Sequence, residues 1–386
     1  MAKAAPRENR TPPATPTLPD RRWRQSFTRK LRDWFDKAKR DLPWRRSRDP
    51  YRIWVSEIML QQTTVAAVIA YFERFMAAYP TVVELAAAPE RDVLRLWEGL
   101  GYYRRARQLH AAAQKIVGEY GGAFPCEPAA VRALPGIGRY TAGAISSIAF
   151  DLPEPILEAN TVRLLSRLSG YRDDPLARAG QEHLWGWAAA IVPNEEPGLF
   201  NQALMELGAL ICTPREPRCG ECPVASLCAA KKLGLVNEIP KPKAKKVFEE
   251  VREAAVLICR KGEVLLIERA AGERWGGLWD FPRFAVDAEQ TDNITTALRS
   301  EIKRTLGIDV ALGERLQTLK HGVTRFKITL EAFDASYKAG KLKPLTPFAV
   351  ARWVAPKDLA QYPLNTTGRK LTKLLEAKQS RLEFDE

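Results

Sequence analysis

The chain has 386 residues with a formal net charge of +14, and 46% of its residues are hydrophobic. That length allows two or three domains with real cores, no apolar run reaches the roughly 20 residues of a membrane span, and no apolar segment follows the basic N-terminus as a secretory signal requires. The positive excess favours a polyanionic partner, with DNA, RNA and anionic lipid all open on charge alone. The Arg-rich, acid-poor first thirty residues also leave a mitochondrial transit peptide open. Of six cysteines, four crowd between Cys212 and Cys228, while Cys126 and Cys259 stand alone. Without a signal peptide the compartment is expected to be reducing and the cysteines not a disulfide scaffold.

Taken in chain order, residues 1–24 are rich in Pro, Thr and Arg without periodicity and read as a disordered basic tail. From Trp23 to about Ala230 apolar residues recur at three- and four-residue spacing, predicting helices at 53–78, 83–97, 103–119, 127–133, 140–150, 160–169 and 180–192. Pro- and Gly-containing breaks such as Leu134-Pro-Gly separate them. Residues 233–250 carry the Pro and Lys content of a linker. Beyond it the pattern changes: Val256-Leu-Ile-Cys259 and Val264-Leu-Leu-Ile267 flank Arg260-Lys-Gly-Glu263 as a hairpin, a helix follows at about 291–306, a strand at 326–334, and a last helix near 367–377. The fold class is multidomain, an all-α domain over 25–232 joined by the linker to an α+β domain over 251–386.

The strongest local signal is Cys212-x6-Cys219-x2-Cys222-x5-Cys228. Four thiolates at this density suit a tetrahedral zinc or an iron–sulfur cluster, and ligand count alone leaves both open. The next is Leu134-Pro-Gly-Ile-Gly-Arg-Tyr-Thr-Ala-Gly143. A turn through Gly136 and Gly138 opens a helix at about Tyr140, whose first N–H groups and Arg139 can face a phosphate. By itself the segment is equally an interhelical turn. Beside a four-cysteine loop in a basic helical protein it reads as a helix–hairpin–helix that grips the DNA backbone without reading sequence.

With these segments Leu42-Pro-Trp-Arg45, Ser56-Glu-Ile-Met-Leu-Gln-Gln-Thr63, Gly99-Leu-Gly-Tyr-Tyr103 and Phe200-Asn-Gln-Ala203, residues 25–230 resemble the helix–hairpin–helix glycosylases of the endonuclease III superfamily, and within it the MutY-type adenine DNA glycosylases. The C-terminal half resembles that family's Nudix-like domain. The resemblance implies a [4Fe–4S] cluster on Cys212, Cys219, Cys222 and Cys228. The implied function is removal of adenine mispaired with 8-oxoguanine or guanine in double-stranded DNA, by a monomeric, cytoplasmic, nucleoid-associated bacterial enzyme.

It also implies roles for single residues. Glu57, expected near the start of its helix beside Trp54, Ile58 and Leu60 with Gln61 at i+4, protonates the departing adenine. On sequence alone a solvated Glu in a first turn is the commoner case. A second, ionised carboxylate faces the oxocarbenium-like sugar. The family places Asp there, whereas this chain reads Ile156-Leu-Glu-Ala-Asn160, so Glu158, one methylene or roughly 1.5 Å longer, takes the position with Asn160 completing the motif. Asp151 is the alternative. Tyr140 stands where bifunctional relatives carry the Lys that forms a Schiff base, which points to a monofunctional enzyme. Gln62 and Tyr102 are candidates for insertion into the duplex, and Trp44, Arg45, Leu60, Gln202 and Glu206 for the base pocket, with Thr63 beside them. A bifunctional pyrimidine glycosylase/lyase and a non-catalytic cluster-bearing DNA-binding protein are the competing functions.

In the C-terminal half the helix Arg299-Ser-Glu-Ile-Lys-Arg-Thr-Leu-Gly307 keeps only Glu301 of a Nudix metal-binding set, and its cationic neighbours disfavour a divalent ion. Binding, not hydrolysis, is expected. The family's lesion-reading loop corresponds to His321-Gly-Val-Thr-Arg325, in which Thr324 keeps a hydroxyl and Arg325 can donate to guanine acceptors or to phosphate.

Overall fold

The computed structural model describes residues 18–242, 247–270, 272–286, 294–323 and 325–384. The expected tail as far as residue 17 and the candidate Thr324 lie outside them. The chain divides into two compact units, one of residues 1–57 and 124–243 and the other of 58–123 and 244–386. The helix Pro50–Leu60 carries the division between Glu57 and Ile58.

The first unit is helical. Its opening helix, Arg21–Ala38, begins four residues inside the expected tail because Asp20 caps it, accepting the Trp23 N–H at 2.7 Å. Phe27, Leu31 and Phe35 form the stripe this helix buries, against Leu164, Leu165, Leu168, Leu184, Phe200, Leu204 and Leu207. Those residues come from the helices Ala159–Ser169, Arg178–Ile191 and Pro197–Leu210. The last of these is uniformly apolar on most faces, as a buried helix should be, and was not among the periodic segments. The hairpin is formed as expected: Pro128–Arg132, a turn with Gly136 at φ 77°, and Arg139–Phe150 with Gly138 as its N-cap.

In the second unit the helices Val65–Ala78, Val82–Ala87, Glu90–Leu96 and Arg104–Tyr120 enclose Phe72, Phe75, Leu85, Trp97, Leu109 and Ile116. The single helix predicted over 53–78 is broken at Gln61–Thr64, where Gln62 takes φ 60° and Thr64 caps the next helix. The one predicted over 83–97 is broken at Ala88–Pro89, since proline disfavours helical geometry in the residue before it.

The same unit holds a mixed sheet of seven strands, Glu249–Arg260 (β1), Glu263–Arg269 (β2), Trp279–Asp280 (β3), Arg283–Ala285 (β4), Ile308–Val323 (β5), Phe326–Gly340 (β6) and Phe348–Val354 (β7). The order β3-β2-β1-β6-β5 puts β1 parallel to β6, and the predicted hairpin pairs Arg260 with Glu263. Ala254, Val256 and Ile258 face the helix Ile294–Leu306, whereas Ala255 and Leu257 face Leu371 and Leu375 of the C-terminal helix Thr366–Phe384. Covering both faces is why β1 reads as a continuous apolar run and not as an alternation. No helix among the described residues is long and apolar enough to cross a membrane.

Candidate active site

Glu57, Tyr140 and Glu158 come from three separate segments of the first unit and meet. The Tyr140 hydroxyl lies 2.6 Å from Oε2 of Glu57 and 3.3 Å from Sδ of Met205. Glu57 is 5% exposed. Its helix begins at Pro50, capped by Asp49, so Glu57 lies in the last turn and not near the start as expected. The negative end of a helix disfavours a carboxylate. Burial acts in the same direction and is the main cause that pushes the Glu57 carboxyl up to about 7; the charge of Glu158 adds to it, while Tyr140 and Arg45 oppose it. The Tyr140 hydroxyl is raised in turn by burial and by both carboxylates.

Glu158 caps the helix Ala159–Ser169, its oxygens accepting the N–H of Asn160 at 2.8 Å and of Thr161 at 2.9 Å. Asp is usual at such a cap; the longer Glu curls back to reach the same N–H groups. Burial is the main influence and leaves the Glu158 carboxyl raised, while these N–H groups, the nearby Arg163 charge and the Asn160 side chain all pull it back toward the ionised form. Two carboxyls thus sit in contrasting surroundings, one dry, the other held by donors at a helix N-terminus. Asp151 instead ends the preceding helix at φ 57°, with Arg48 3.9 Å away, and the second carboxylate acting on Glu57 is that of Glu158.

The segment before Glu158 is drawn in by close backbone contact. A Cβ on Gly143 would meet the Pro155 carbonyl oxygen at 2.3 Å, and one on Gly208 would meet Asn160 at 2.8 Å. Asn201, 1% exposed, donates to Ser147 Oγ and to the Glu154 carbonyl, both at 2.9 Å. Sequence reasoning assigned no role to Asn201 or Met205, although Asn201 lies in the Phe200-Asn-Gln-Ala203 segment that carried the resemblance.

Several expected base-pocket residues serve as supports. Glu206 is fully buried. Burial alone would raise its carboxyl, but hydrogen bonds from Arg40 and Arg45 hold it down at about 2. Arg40 contributes Nε and Nη2, each at 2.8 Å, and Arg45 contributes Nη2 at 2.9 Å. Trp44 is buried, and Gln202 turns its amide toward the Gly198 carbonyl at 3.3 Å. On the hairpin, Arg139 is exposed with its guanidinium 3.8 Å from the Trp185 ring centroid, a stacking that presents its donors outward.

In the second unit Gln62 and Tyr102 are both exposed and both in the left-handed region, at φ 60° and 48°, with Leu60, Gln61 and Thr63 half-buried beside them. Within the expected lesion loop His321, Gly322 and Val323 end β5, with Val323 pairing Phe326. His321 stacks against Trp275 at 6.4 Å, and burial with the charges of Arg283 and Arg274 lowers it to about 4, so it is neutral. Arg325 is exposed and 3.6 Å from Glu249. Glu301 pairs with Arg304 at 2.9 Å, so the remaining Nudix acid is already neutralised.

Cys212, Cys219, Cys222 and Cys228 line one pocket with Leu164, Leu168, Ile211 and Val224. The four thiols lie close enough to act on one another electrostatically, and four cysteines around one apolar pocket fit the donor set of an iron–sulfur cluster. Arg167 donates to Cys212 Sγ at 3.2 Å, and Arg163 links the Cys212 carbonyl, at 2.6 Å, to Asn160 Oδ1 at 2.9 Å. The loop therefore stands directly behind the helix that Glu158 caps.

A helical lobe with this hairpin, a buried acid–hydroxyl–acid set, a four-cysteine loop and a following Nudix fold defines a base excision DNA glycosylase. Residues 55–190 match the HhH-GPD superfamily of base excision DNA repair proteins, residues 212–228 the iron–sulfur binding domain of endonuclease III, and residues 253–374 the NUDIX domain. The adenine DNA glycosylase of Rattus norvegicus is 32% identical over 91% of this chain and 78% of that protein. The Homo sapiens protein of the same name is 34% identical over 92% and 74%, and that of Buchnera aphidicola 37% identical over 67% and 75%. Among solved structures, a thermostable thymine-DNA glycosylase aligns at TM-score 0.50 and 30% identity, covering 55% of this chain and 98% of that one. The chain belongs to the adenine DNA glycosylase family. It is a DNA N-glycosylase that acts on DNA and carries a [4Fe–4S] cluster in the domain of residues 212–228.

Two outcomes follow from this geometry. Because the Glu57 carboxyl is raised from 4.5 to about 7 on folding, the folded state binds more protons than the unfolded state across that window, and stability is lost as pH rises through it. Glu57→Gln removes this loss, so the variant should melt above wild type at about pH 8 and not at about pH 5; equal differences at both would show that the carboxyl is not raised. The cluster makes wild-type protein brown through sulfur-to-iron charge transfer. Cys212→Ser should be colourless and bind DNA weakly, because the loop carrying Arg215 and Arg218 loses its support, whereas Cys126→Ser should keep both properties.

Proposed function

We propose that this enzyme hydrolyses the N-glycosidic bond of adenine mispaired with 8-oxoguanine or guanine, without strand cleavage, using Glu57 as the acid and Glu158 as the counter-charge to the sugar. The observation that carries the reading is the 2.6 Å Tyr140–Glu57 hydrogen bond beside a donor-held Glu158. A carboxyl pushed up to about 7 is still half protonated at neutral pH and can deliver a proton to the leaving base. With the proton delivered, the base departs neutral. The developing positive charge on the sugar is met by Glu158, whose ionised form is favoured by its two helix N–H bonds and by Arg163 against the effect of burial. Since those bonds engage both oxygens, Glu158 is best suited to stabilise charge while water completes the reaction.

Tyr140 occupies the place a Schiff-base Lys would need, and the groups acting on Glu57 (Tyr140, Glu158 and Arg45) include no amine nucleophile. This supports monofunctional chemistry over the pyrimidine glycosylase/lyase. The meeting of two carboxyls argues against a purely DNA-binding role. Gln62 and Tyr102 enter the duplex as adenine leaves the stack, Leu60, Gln61 and Thr63 flank the same turn, and Gly136, Gly138 and Arg139 hold the backbone. His321, Thr324 and Arg325 meet the opposite base, with Arg325 the exposed donor.

Single-turnover excision should fall tenfold per pH unit above about 7 as Glu57 deprotonates. Glu158→Gln should lose on the order of a hundredfold in rate while still binding mispaired duplex, and Glu158→Asp should retain much more activity. A normal rate for Glu158→Gln would remove it from the chemistry. Product strands should stay intact until heated in alkali. Efficient borohydride trapping of an enzyme–DNA adduct would overturn the monofunctional assignment.

A further inference from the structure

Between Glu98 and Tyr103 the helical part of the second unit is tied at both ends to the Nudix fold. At the first end Arg369, in the opening turn of the C-terminal helix, places Nε 2.6 Å and Nη2 2.8 Å from the two carboxylate oxygens of Glu98, a bidentate pair that fixes orientation as well as distance. The same guanidinium donates to the carbonyls of Leu359 at 3.1 Å and Tyr362 at 2.9 Å, so its plane is set by Nudix backbone. At the other end the Tyr103 hydroxyl, on a residue 8% exposed, donates to the Leu364 carbonyl at 3.2 Å. One turn later Arg107 donates to the Gly276 carbonyl.

The loop held between these ties carries Tyr102. Gly99 and Gly101 adopt φ 99° and 71°, which glycine does freely. Tyr102 at φ 48° does not, and its ring is 53% exposed; a tyrosine keeps that backbone only where its surroundings impose it. Arg105 extends the constraint. Its guanidinium donates to the carbonyls of Leu100 at 3.2 Å and Gly101 at 3.1 Å, and on its other side to those of Ile58 at 2.8 Å, Met59 at 3.0 Å and Gln61. The Gln62 turn and the Tyr102 loop are thereby bound to one buried cation, and that assembly is bound to the Nudix fold through Glu98.

We propose that Arg369 and Glu98 are positioning residues for opposite-base discrimination, coupling the seating of the Nudix fold on the opposite strand to the set of the Tyr102 and Gln62 wedge. The inference rests on the reading that those two residues enter the duplex. When the base facing the adenine fits the Nudix hairpin, the Arg369–Glu98 pair holds the wedge in its inserting geometry. With a base that seats the hairpin poorly, the wedge loses that support. Coupling of this kind is reciprocal between the two binding events. The pair is largely buried, with side-chain exposures of 26% and 17%, so Tm is measured beside the rates to separate its role from folding.

The test measures single-turnover excision of adenine opposite 8-oxoguanine and opposite guanine for the full-length enzyme and for Glu98→Gln, Arg369→Gln, Arg369→Lys, the Glu98→Gln/Arg369→Gln double variant and Tyr102→Ala. Each Gln variant should lower the ratio of the two rates by about fivefold or more, beyond any fall common to both substrates. The double variant should be no worse than either single, because both remove one interaction, and Arg369→Lys should recover part of the ratio. Additive losses, or equal losses on both substrates accompanied by a lower Tm, would overturn the coupling. An unchanged ratio in the Gln variants, with a lowered ratio in Tyr102→Ala, would defeat the coupling and leave the insertion reading standing. Normal behaviour of Tyr102→Ala would defeat the insertion reading and, with it, this inference.

Discussion

Everything at the centre of the helical lobe is arranged so that one carboxyl, Glu57, stays out of water. It is 5% exposed, it sits at the unfavourable end of its helix, and its hydrogen bond comes from a phenol and not from a cation. A buried carboxylate without full compensation is costly, so the group holds its proton to about neutral pH. An acid in this state can protonate a nucleobase, which a solvated Glu with an ordinary acidity cannot do at the same pH. The cost is borne by the folded state, and the surrounding structure compensates elsewhere, as active sites commonly require.

Arginines organise the structure around Glu57. Arg40 and Arg45 clamp Glu206, whose side chain is 1% exposed, and breaking such a pair by removing one partner typically costs about 3–5 kcal/mol. Arg45 also opposes the rise at Glu57, so the same clamp moderates the acid. Arg163 ties Asn160 to the Cys212 and Gly208 carbonyls, which fixes the helix that Glu158 caps against the cluster loop. Arg105 does the same for the turns bearing Gln62 and Tyr102. Arg163 and Arg167 also hold the start of the four-cysteine loop, through the Cys212 carbonyl and thiol and the Thr213 carbonyl.

Much of this was legible in the sequence because it is carried by local patterns. The cysteine spacing, the Pro-Gly-x-Gly turn and the apolar periodicity of the helices are short-range signals, and so is the hairpin at Arg260-Lys-Gly-Glu263. The helix break at Gln61–Thr64 was not legible, since Gln62 at φ 60° is held by Arg105, some forty residues away in sequence, and not by a local turn former. Glu57 was placed near a helix start for a different reason: periodicity alone set the onset at 53, whereas the local start signal Asp49-Pro50 begins the helix three residues earlier. Glu206 read as a pocket residue because nothing in its neighbourhood announces Arg40, 166 positions earlier. The long strand Ile308–Val323 lacks alternation over its outer half, where it is largely exposed, so its pairing with β6 could not be read from composition. The substitution of Glu for Asp at position 158 could be noticed in sequence, but its consequence, a side chain folded back onto its own helix, is a matter of geometry.

The central claim is that Glu57 is a protonated carboxylic acid near neutral pH, and infrared difference spectroscopy between wild type and Glu57→Gln tests it most directly. The account predicts a carbonyl stretch of a protonated, hydrogen-bonded carboxyl in wild type at about pH 6, absent from the variant, that titrates away with a midpoint near 7 and shifts on Tyr140→Phe as the hydroxyl donor is lost. Carboxylate bands alone at about pH 6, with no protonated carbonyl assignable to Glu57, would contradict it.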